Sequence, residues 1–170
     1  MKARTEYKKW LEYKSLDPAM HEELLGIDGA ELESRFGTQL QFGTAGLRGT
    51  IGAGTNRMNV YMVRLATQAM ADLINAENGA EQGCAVCHDC RHFSREFAEA
   101  AAGVLAANGV KVRIFDDMRP TPELSFAIRE YGCTAGINIT ASHNPKEYNG
   151  YKVYWSDGAQ LPPEHAAKVA

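Results

Sequence analysis

The sequence lacks the features of a membrane protein. No apolar run in the 170-residue chain approaches the roughly 20 residues that a helix needs to cross a bilayer. Residues 1–7 contain no apolar signal-peptide core, so we expect a cytoplasmic protein with no membrane partner. Hydrophobic residues make up 45% of the chain, near the average for globular proteins, so the composition does not indicate disorder either.

The chain also lacks an excess of positive charge. Its 18 lysines and arginines are outnumbered by 21 aspartates and glutamates, and the formal net charge is −3. Because nucleic acids are themselves polyanions, this balance argues against a nucleic-acid partner. A small anionic ligand stays open, since a few local arginines and lysines can bind it whatever the total charge.

Common enzyme motifs are missing as well. Neither the Walker A pattern Gly-x-x-x-x-Gly-Lys-[Ser/Thr] nor the dinucleotide pattern Gly-x-Gly-x-x-Gly occurs. The Gly-x-Ser-x-Gly pattern of serine hydrolases is also absent. Ser142 and His143 are adjacent, and adjacent side chains rarely form the hydrogen bond that a Ser–His hydrolase requires. We therefore do not favour a hydrolase.

Cysteine is scarce, but most of it lies in one segment. Cys84, Cys87 and Cys90, with His88 and His92, place five possible metal ligands within nine residues. A zinc site is one interpretation, yet no second Cys-x-x-Cys pair completes a tetrahedral set. On a strand, Cys84 and Cys87 would point to opposite faces. We therefore interpret them as small apolar core residues with free thiols, which fits a cytosolic protein.

Residues 1–40 have the pattern of a helical arm. Tyr7 and Trp10 lie at helical spacing, Asp17 precedes a proline that favours a second helix start, and residues 31–36 indicate a third helix. The arm is followed by a different pattern, so we place a boundary at residue 41.

Residues 41–170 alternate between the hydrophobic periods of helices and strands. Strands are predicted at 84–88, 110–115, 135–140 and 151–155. A helix is predicted from Val60, and Ser94 and Thr121 are predicted to cap two more. This alternation predicts an α/β fold, a three-layer α/β/α sandwich with a mostly parallel, mixed sheet. A helix that has barely begun at the end of the chain indicates a fragment of a longer protein.

Two segments are candidate ligand-binding loops. Residues 42–54 contain five glycines in thirteen positions, which indicates positive φ angles or close approach of the backbone to a ligand. Thr140–Pro145 follows a predicted strand and ends in an Asn-Pro turn. Open α/β sheets place their chemistry at the carboxyl ends of strands. Ser142 there, with His143 beside it and Lys152 ten residues on, predicts a site that carries or transfers an anionic group.

Four motifs occur together, namely Phe42–Gly49, Asp89–Arg91, Thr140–Pro145 and Asn149–Lys152. Their order and spacing resemble the N-terminal domain I of the α-D-phosphohexomutases, the family of phosphoglucomutases and phosphomannomutases. The resemblance covers nearly the whole chain, and the serine-loop motif is specific. The N-terminal arm, followed by Met58-Asn59, is most similar to the phosphoglucomutase branch, which also contains phosphopentomutases.

The resemblance implies an isomerase that moves phosphate between the C1 and C6 oxygens of a hexose phosphate. A phosphoserine at Ser142 would give its phosphoryl group to the sugar and recover the other one from a bisphosphorylated intermediate. The N-terminal resemblance favours glucose phosphate as the substrate, while mannose phosphate and pentose phosphate stay open, and the activator implied is glucose 1,6-bisphosphate. A phosphomannomutase, a phosphopentomutase and a free-standing, non-catalytic phosphate-binding module are the alternatives.

The resemblance also implies roles for individual residues. Arg48 would offer its planar fork of donors to phosphate oxygens. Lys152, aided by His143, would act as the general acid/base for the sugar hydroxyl, and Asn144 would fix the loop and bind phosphate. Simpler interpretations are a surface arginine, a solvated strand lysine and a histidine that only shapes the turn. Asp89 and Arg91 would form a supporting ion pair beneath the serine loop.

One feature of the family is missing from this chain. The family holds Mg²⁺ with three aspartates of an Asp-Gly-Asp-x-Asp-Arg loop in its second domain, and the phosphate on Ser142 would be a further ligand. The closest sequence here, Asp157-Gly158-Ala159, lacks the repeat. We therefore expect the remaining domains of the enzyme to be partners of this chain, and the isolated 170-residue chain to be inactive.

Overall fold

The structure is a computed structural model that describes residues 2–43 and 46–169. Thr44 and Ala45, in the glycine-rich stretch, lie outside the described residues. The helices are α1 (Lys2–Glu12), α2 (Pro18–Leu25), α3 (Gly29–Phe36), α4 (Val60–Ala76), α5 (Ser94–Ala107), α6 (Thr121–Glu130) and α7 (Pro163–Val169). The strands are β1 (Leu47–Thr50), β2 (Cys84–His88), β3 (Val112–Ile114), β4 (Ala135–Ile139) and β5 (Tyr148–Trp155). Within the described ranges, no helix combines the length and apolar character that crossing a bilayer requires.

The five strands form one sheet in the order β1-β5-β4-β2-β3. β2 pairs in parallel with β3 and β4, whereas β5 pairs antiparallel with β4 and β1. Four strands therefore run in one direction and β5 runs in the other. This confirms the predicted mostly parallel, mixed sheet. The reversal at β5 follows from its short connection to β4, because a parallel crossover needs about a dozen residues or more.

Helices cover both faces of this sheet. The buried residues of α4, α5 and α7 form one core with strand residues such as Val86 and Ile137. On the other face, Leu124 and Ile128 of α6 form a second core with Ala85. The predicted three-layer α/β/α sandwich is therefore confirmed, and the alternation of strand side chains supplies both cores.

The two cysteines of β2 lie in different cores. Cys84 belongs to the core beneath α4 and α5, and Cys87 belongs to the core beneath α6. Burial raises the pKa of the Cys87 thiol to about 12, and burial also raises the pKa of Cys84. Both thiols therefore stay protonated at neutral pH. Because they face opposite sides of the sheet, the two side chains cannot share one metal ion.

The arm helices pack around one aromatic residue. Phe36 is buried, and the rings of Tyr7 and Trp10 contact it edge-on with centroid distances of 5.7 Å. Arg35 then joins the arm to the segment after β1, because its Nη1 donates a hydrogen bond to the Ala53 carbonyl at 3.1 Å. The arm therefore packs against the residues that follow β1.

Two predicted N-caps are wrong by one residue. α5 and α6 begin at Ser94 and Thr121, and their N-caps are Phe93 and Pro120. The Ser94 hydroxyl instead donates to Asp89 Oδ1 at 2.8 Å. The Thr121 hydroxyl accepts a hydrogen bond of 2.7 Å from a β4 side chain. In both cases a tertiary hydrogen bond uses the hydroxyl that could have capped the helix.

The strand boundaries also differ from the prediction. β3 and β4 are shorter than the predicted 110–115 and 135–140, and β5 begins at Tyr148 instead of residue 151. β1 lies in the glycine-rich stretch and was not predicted as a strand. Gly49 disfavours a strand here. β1 forms nevertheless because all of its residues pair with β5.

Gly150 of β5 lies where three backbones approach closely. A Cβ at this position would lie 2.6 Å from the Thr140 carbonyl oxygen and 2.9 Å from the Leu47 carbonyl oxygen. Neither oxygen belongs to a flexible side chain, so Gly150→Ala should lower the free energy of unfolding by about 1–3 kcal/mol, as overpacking does. Urea denaturation measures this change.

Gly103→Ala is the matched control, because a Cβ there meets nothing within 4 Å and the residue is in the interior of α5. It should stabilise the protein by about 0.5–1 kcal/mol. Equal effects of the two substitutions would contradict the close approach at Gly150.

Candidate functional site

Ser142 lies in the loop that joins β4 to β5. It is exposed, and its φ of +59° places it in the left-handed region, which is uncommon for residues other than glycine. Its N–H donates to Thr140 Oγ1 at 3.0 Å. The Asn144 N–H closes a turn by donating to the Ala141 carbonyl at 3.2 Å. As predicted, β4 delivers Ser142 to the edge of the sheet where its strand ends.

Strand alternation places Arg48 and Lys152 on the same face of the sheet. Their neighbours Leu47 and Tyr151 belong to the core beneath α4 and α5, so Arg48 and Lys152 point to the opposite face. Arg48 pairs in register with Gly150, which lies two residues before Lys152 on the same strand. Gly150 has no side chain to separate the two cations.

Lys152 is a half-buried cation without a partner. Its side chain forms no hydrogen bond and no ion pair with any described residue. Its pKa lies below the ordinary value, chiefly because burial disfavours the ammonium and also because Arg48 carries a like charge. The charge of Asp89 partly opposes this shift. A lowered pKa increases the fraction of neutral amine at a given pH, which suits a group that accepts a proton.

Arg48 joins the face of the sheet to the serine loop. Its Nη1 donates to Asn144 Oδ1 at 2.9 Å. Arg48 is exposed, and its other N–H groups have no acceptor among the described residues. A guanidinium with free donors can bind phosphate oxygens in pairs. The structure thus brings Arg48, Asn144 and the serine loop together, as the resemblance implies.

His143 is exposed and forms no hydrogen bond with any described residue. The structure does not connect its ring to Ser142 or Lys152. Its assistance to Lys152 therefore stays a prediction.

The glycine-rich stretch lies against β5. Gly46 has a φ of +82°, and a Cβ there would be 1.9 Å from the Tyr151 carbonyl oxygen. The predicted positive φ angle is thus present. The group approached is the backbone of β5 and not a ligand, and this contact places the glycine-rich stretch beside Lys152.

A buried polar network lies beneath the serine loop. Asp89 Oδ1 accepts hydrogen bonds from the Arg91 N–H at 2.9 Å and the Ser94 hydroxyl at 2.8 Å. Asn149 is fully buried and donates to the Ser94 oxygen at 3.0 Å. The Arg91 Nε lies 3.5 Å from Asp89 Oδ2, so the predicted ion pair is present.

The predicted ion pair with Asp89 is only one of the contacts that Arg91 makes. Its guanidinium also bonds the carbonyls of the serine loop. A signal was available: β2 and β4 are parallel neighbours, so the segment after β2 ends beside the loop after β4. Pairing these two strands in advance would have placed Arg91 under Ser142.

An open groove of about 330 Å³ borders Ser142 on the side of this network. The residues that line it are Asp89, Cys90, Arg91, His92, Ser142, Asn144 and Lys146. Ser142 and Asn144 both line this groove, and Asn144 accepts the hydrogen bond from Arg48. Arg91 and Lys146 in the lining and Arg48 next to it are cationic, so the surroundings of the hydroxyl favour an anion.

These residues do not form a metal site by themselves. The described ranges contain no group of three or more His, Cys, Asp or Glu residues that could hold a metal ion. Asp89, the carboxylate nearest in the network, already bonds Arg91 and Ser94. Mg²⁺ prefers several oxygen ligands in octahedral order, so the part of the chain that the structure describes does not fit the ion on its own.

Comparison with known proteins gives a consistent result. The family model for phosphoglucomutase/phosphomannomutase, alpha/beta/alpha domain I, matches residues 39–170. A phosphoglucomutase of Staphylococcus aureus (strain USA300) is 47% identical over 134 residues, which cover 78% of this chain and 24% of that protein. The chain thus spans about a quarter of the length of such relatives.

Solved structures show the same similarity. A protein of Thermus thermophilus, provisionally assigned as a phosphomannomutase, has a TM-score of 0.71 at 32% identity, covering 78% of this chain and 29% of that one. A phosphoglucomutase/phosphomannomutase family protein of Burkholderia thailandensis has a TM-score of 0.61 at 29% identity, covering 72% of this chain and 27% of that one.

The proximity of Arg48 and Lys152 can be tested by titration. In NMR of side-chain-labelled protein, Lys152 should titrate below 10.5. Arg48→Gln removes a like charge and should raise the pKa of Lys152. Because the unfolded state binds the proton more tightly, Lys152 makes stability rise with pH between its folded pKa and 10.5.

Arg95→Gln is the control, since Arg95 is an exposed arginine paired with Glu99 on α5. It should leave the titration of Lys152 unchanged. An Arg48→Gln variant in which Lys152 titrates as in the wild type would show that the two charges do not interact.

Proposed function

Because the chain belongs to the phosphoglucomutase/phosphomannomutase family and contains its domain I, we propose that Ser142 carries the phosphoryl group of a sugar-phosphate mutase. The observation that supports this role is the exposed Ser142 hydroxyl at the carboxyl end of β4, in the loop whose Asn144 accepts a hydrogen bond from Arg48. The family comprises phosphohexomutases, which are isomerases. The Staphylococcus aureus relative is named a phosphoglucomutase, which favours glucose phosphate over mannose or pentose phosphate.

The proposed reaction has two phosphoryl transfers. In the first, a hydroxyl oxygen of the sugar phosphate attacks phosphorus, and the bond between phosphorus and Ser142 Oγ breaks. The sugar hydroxyl loses its proton to the neutral amine of Lys152, and the product is a sugar bisphosphate. In the second, Ser142 Oγ takes the phosphoryl group from the other end of the sugar, and Lys152 returns a proton to the released oxygen. The net result is a phosphate moved between C1 and C6.

Charge balance around Ser142 supports this role. A phosphoserine carries about −1.5 to −2 charges at neutral pH, so it needs cations and donors nearby. The free N–H groups of Arg48 can bind the oxygens of the transferring phosphoryl group. Such preorganised donors stabilise the charge that develops in the transition state. The hydrogen bond from Arg48 to Asn144 keeps the guanidinium directed toward the serine loop.

Burial favours Ser142 over the other hydroxyls near the site. Ser94 and Thr140 have 1% and 6% of their surface exposed, and both oxygens already take part in hydrogen bonds within the protein. Ser142 is exposed, and its hydroxyl has no partner among the described residues. A bulky sugar bisphosphate can therefore reach Ser142 but not its neighbours.

The proposed metal requirement involves residues outside this chain. A phosphate on Ser142 would supply one oxygen to Mg²⁺, which stabilises negative charge during phosphoryl transfer. The remaining ligands would come from the other domains of the enzyme. Glucose 1,6-bisphosphate is the proposed activator because it can phosphorylate Ser142. The 170-residue chain alone should accordingly show no mutase activity.

Phosphopeptide mapping tests the assignment of Ser142. The full-length enzyme should acquire label on Ser142 when it is incubated with labelled glucose 1,6-bisphosphate and Mg²⁺. Ser142→Ala should abolish both the label and nearly all turnover, because alanine has no oxygen to form the phosphate ester. Ser156→Ala, which changes another exposed serine, should leave both unchanged. Label on Ser94 or Thr140, with Ser142 unmodified, would contradict the proposal.

A further inference from the structure

The guanidinium of Arg91 gathers the carbonyl groups of the serine loop. Nη2 donates to the carbonyls of Ser142 at 2.8 Å and Asn144 at 2.6 Å. Nη1 donates to the carbonyls of Pro145 at 2.9 Å and Tyr148 at 3.0 Å. Only 12% of the Arg91 side chain is exposed. One side chain thus fixes four points along the loop.

These contacts leave Arg91 no donor for a substrate. A guanidinium has five N–H groups, and Nη1 and Nη2 of Arg91 each bond two carbonyls while Nε faces Asp89. Arg48 is the opposite case, with one hydrogen bond and several free donors. The two arginines near Ser142 are therefore not interchangeable, and Arg91 cannot bind phosphate without releasing the loop.

The contacts also determine the backbone of Ser142. The Ser142 carbonyl is held by Arg91 and the Ser142 N–H is held by Thr140 Oγ1. With both peptide groups anchored, the residue keeps its φ of +59°. An unfavourable backbone conformation of this kind persists only where the surrounding structure determines it.

The contacts of Arg91 also orient the N–H groups on the outer side of the loop. The described peptides are all trans, so an N–H points away from the carbonyl of the same peptide unit. Because the Ser142 and Pro145 carbonyls point at Arg91, the N–H groups of His143 and Lys146 point away from it. Neither N–H has an acceptor among the described residues. Outward N–H groups in a tight loop are suited to bind an anion.

Arg91 is itself held from below. Asp89 accepts from the Arg91 N–H and from Ser94, and Asn149 anchors Ser94. The Asp89 N–H donates to the Ile139 carbonyl at 3.1 Å. Arg91 and the groups that hold it are thus attached to the ends of β2 and β4 and to the starts of β5 and α5.

We infer that Arg91 is a positioning residue for phosphoryl transfer. It holds Ser142 in the left-handed conformation and turns the His143 N–H outward to stabilise the dianionic phosphoserine. This inference rests on the proposed function of Ser142, but it assigns a separate role to a residue that does not touch the substrate.

The experiment compares Arg91→Lys with wild type in the full-length enzyme, with Arg95→Lys as the control on exposed surface. A lysine keeps the charge but cannot bond four carbonyls in one plane. We expect kcat to fall about 10²-fold, as misplacement of a reacting group does, while KM for glucose 1-phosphate changes little. In ³¹P NMR, the second pKa of the phosphoserine should rise, because the outward N–H no longer stabilises the dianion. A role limited to stability would lower the melting temperature and leave that pKa unchanged.

The outcomes separate this inference from the proposed function. A wild-type enzyme that gains no phosphate on Ser142 when it is incubated with glucose 1,6-bisphosphate and Mg²⁺ would overturn the proposed function. Phosphorylated wild type together with an Arg91→Lys enzyme of equal kcat and equal phosphoserine pKa would overturn the role of Arg91 alone. If Arg91→Lys does not fold, NMR of the wild type decides. Separately resolved Nη protons of Arg91 are expected. One averaged signal from a freely rotating guanidinium would contradict the four hydrogen bonds to backbone carbonyls.

Discussion

The antiparallel pairing of β5 with β4 is the constraint on which the site depends. The connection between these strands is the serine loop, so the pairing places Ser142 at the edge of the sheet and returns the chain along β4. Lys152 then lies opposite Asn138 in register, and β1 adds Arg48 beside Gly150. A parallel β5 would need a crossover, and the loop would then be separated from both cations.

Two arginines, Arg91 and Arg48, contact the serine loop in different ways. Arg91 lies beneath the loop, mostly buried, and donates to backbone carbonyls. Arg48 lies at the surface and has free N–H donors. The first arrangement fixes geometry and the second supplies charge. A chain with a net charge of −3 can therefore still present a local cationic site to an anionic ligand.

The sequence predicted what depends on local pattern. The strand before Ser142, the helices of the arm and the layered α/β architecture follow from hydrophobic period and turn residues. β1 could not be predicted this way, because a short segment that contains Gly49 does not favour a strand until β5 pairs with it. The contacts of Arg91 with residues more than 50 positions away depend on the parallel pairing of β2 and β4. The roles proposed for Ser142, Arg48 and Lys152 came from family resemblance, and the structure adds that Arg48 and Lys152 share one face of the sheet and that Arg48 bonds the serine loop through Asn144.

The kinetic effect of Lys152→Met in the full-length enzyme decides whether Lys152 transfers the proton, with Lys9→Met, a substitution of an exposed lysine of α1, as the control. Methionine has a similar length but cannot exchange a proton. If Lys152 transfers the proton of the sugar hydroxyl, kcat should fall by about 10²–10⁴-fold, while Lys9→Met retains wild-type turnover. A Lys152→Met enzyme with wild-type kcat would show that Lys152 does not transfer this proton.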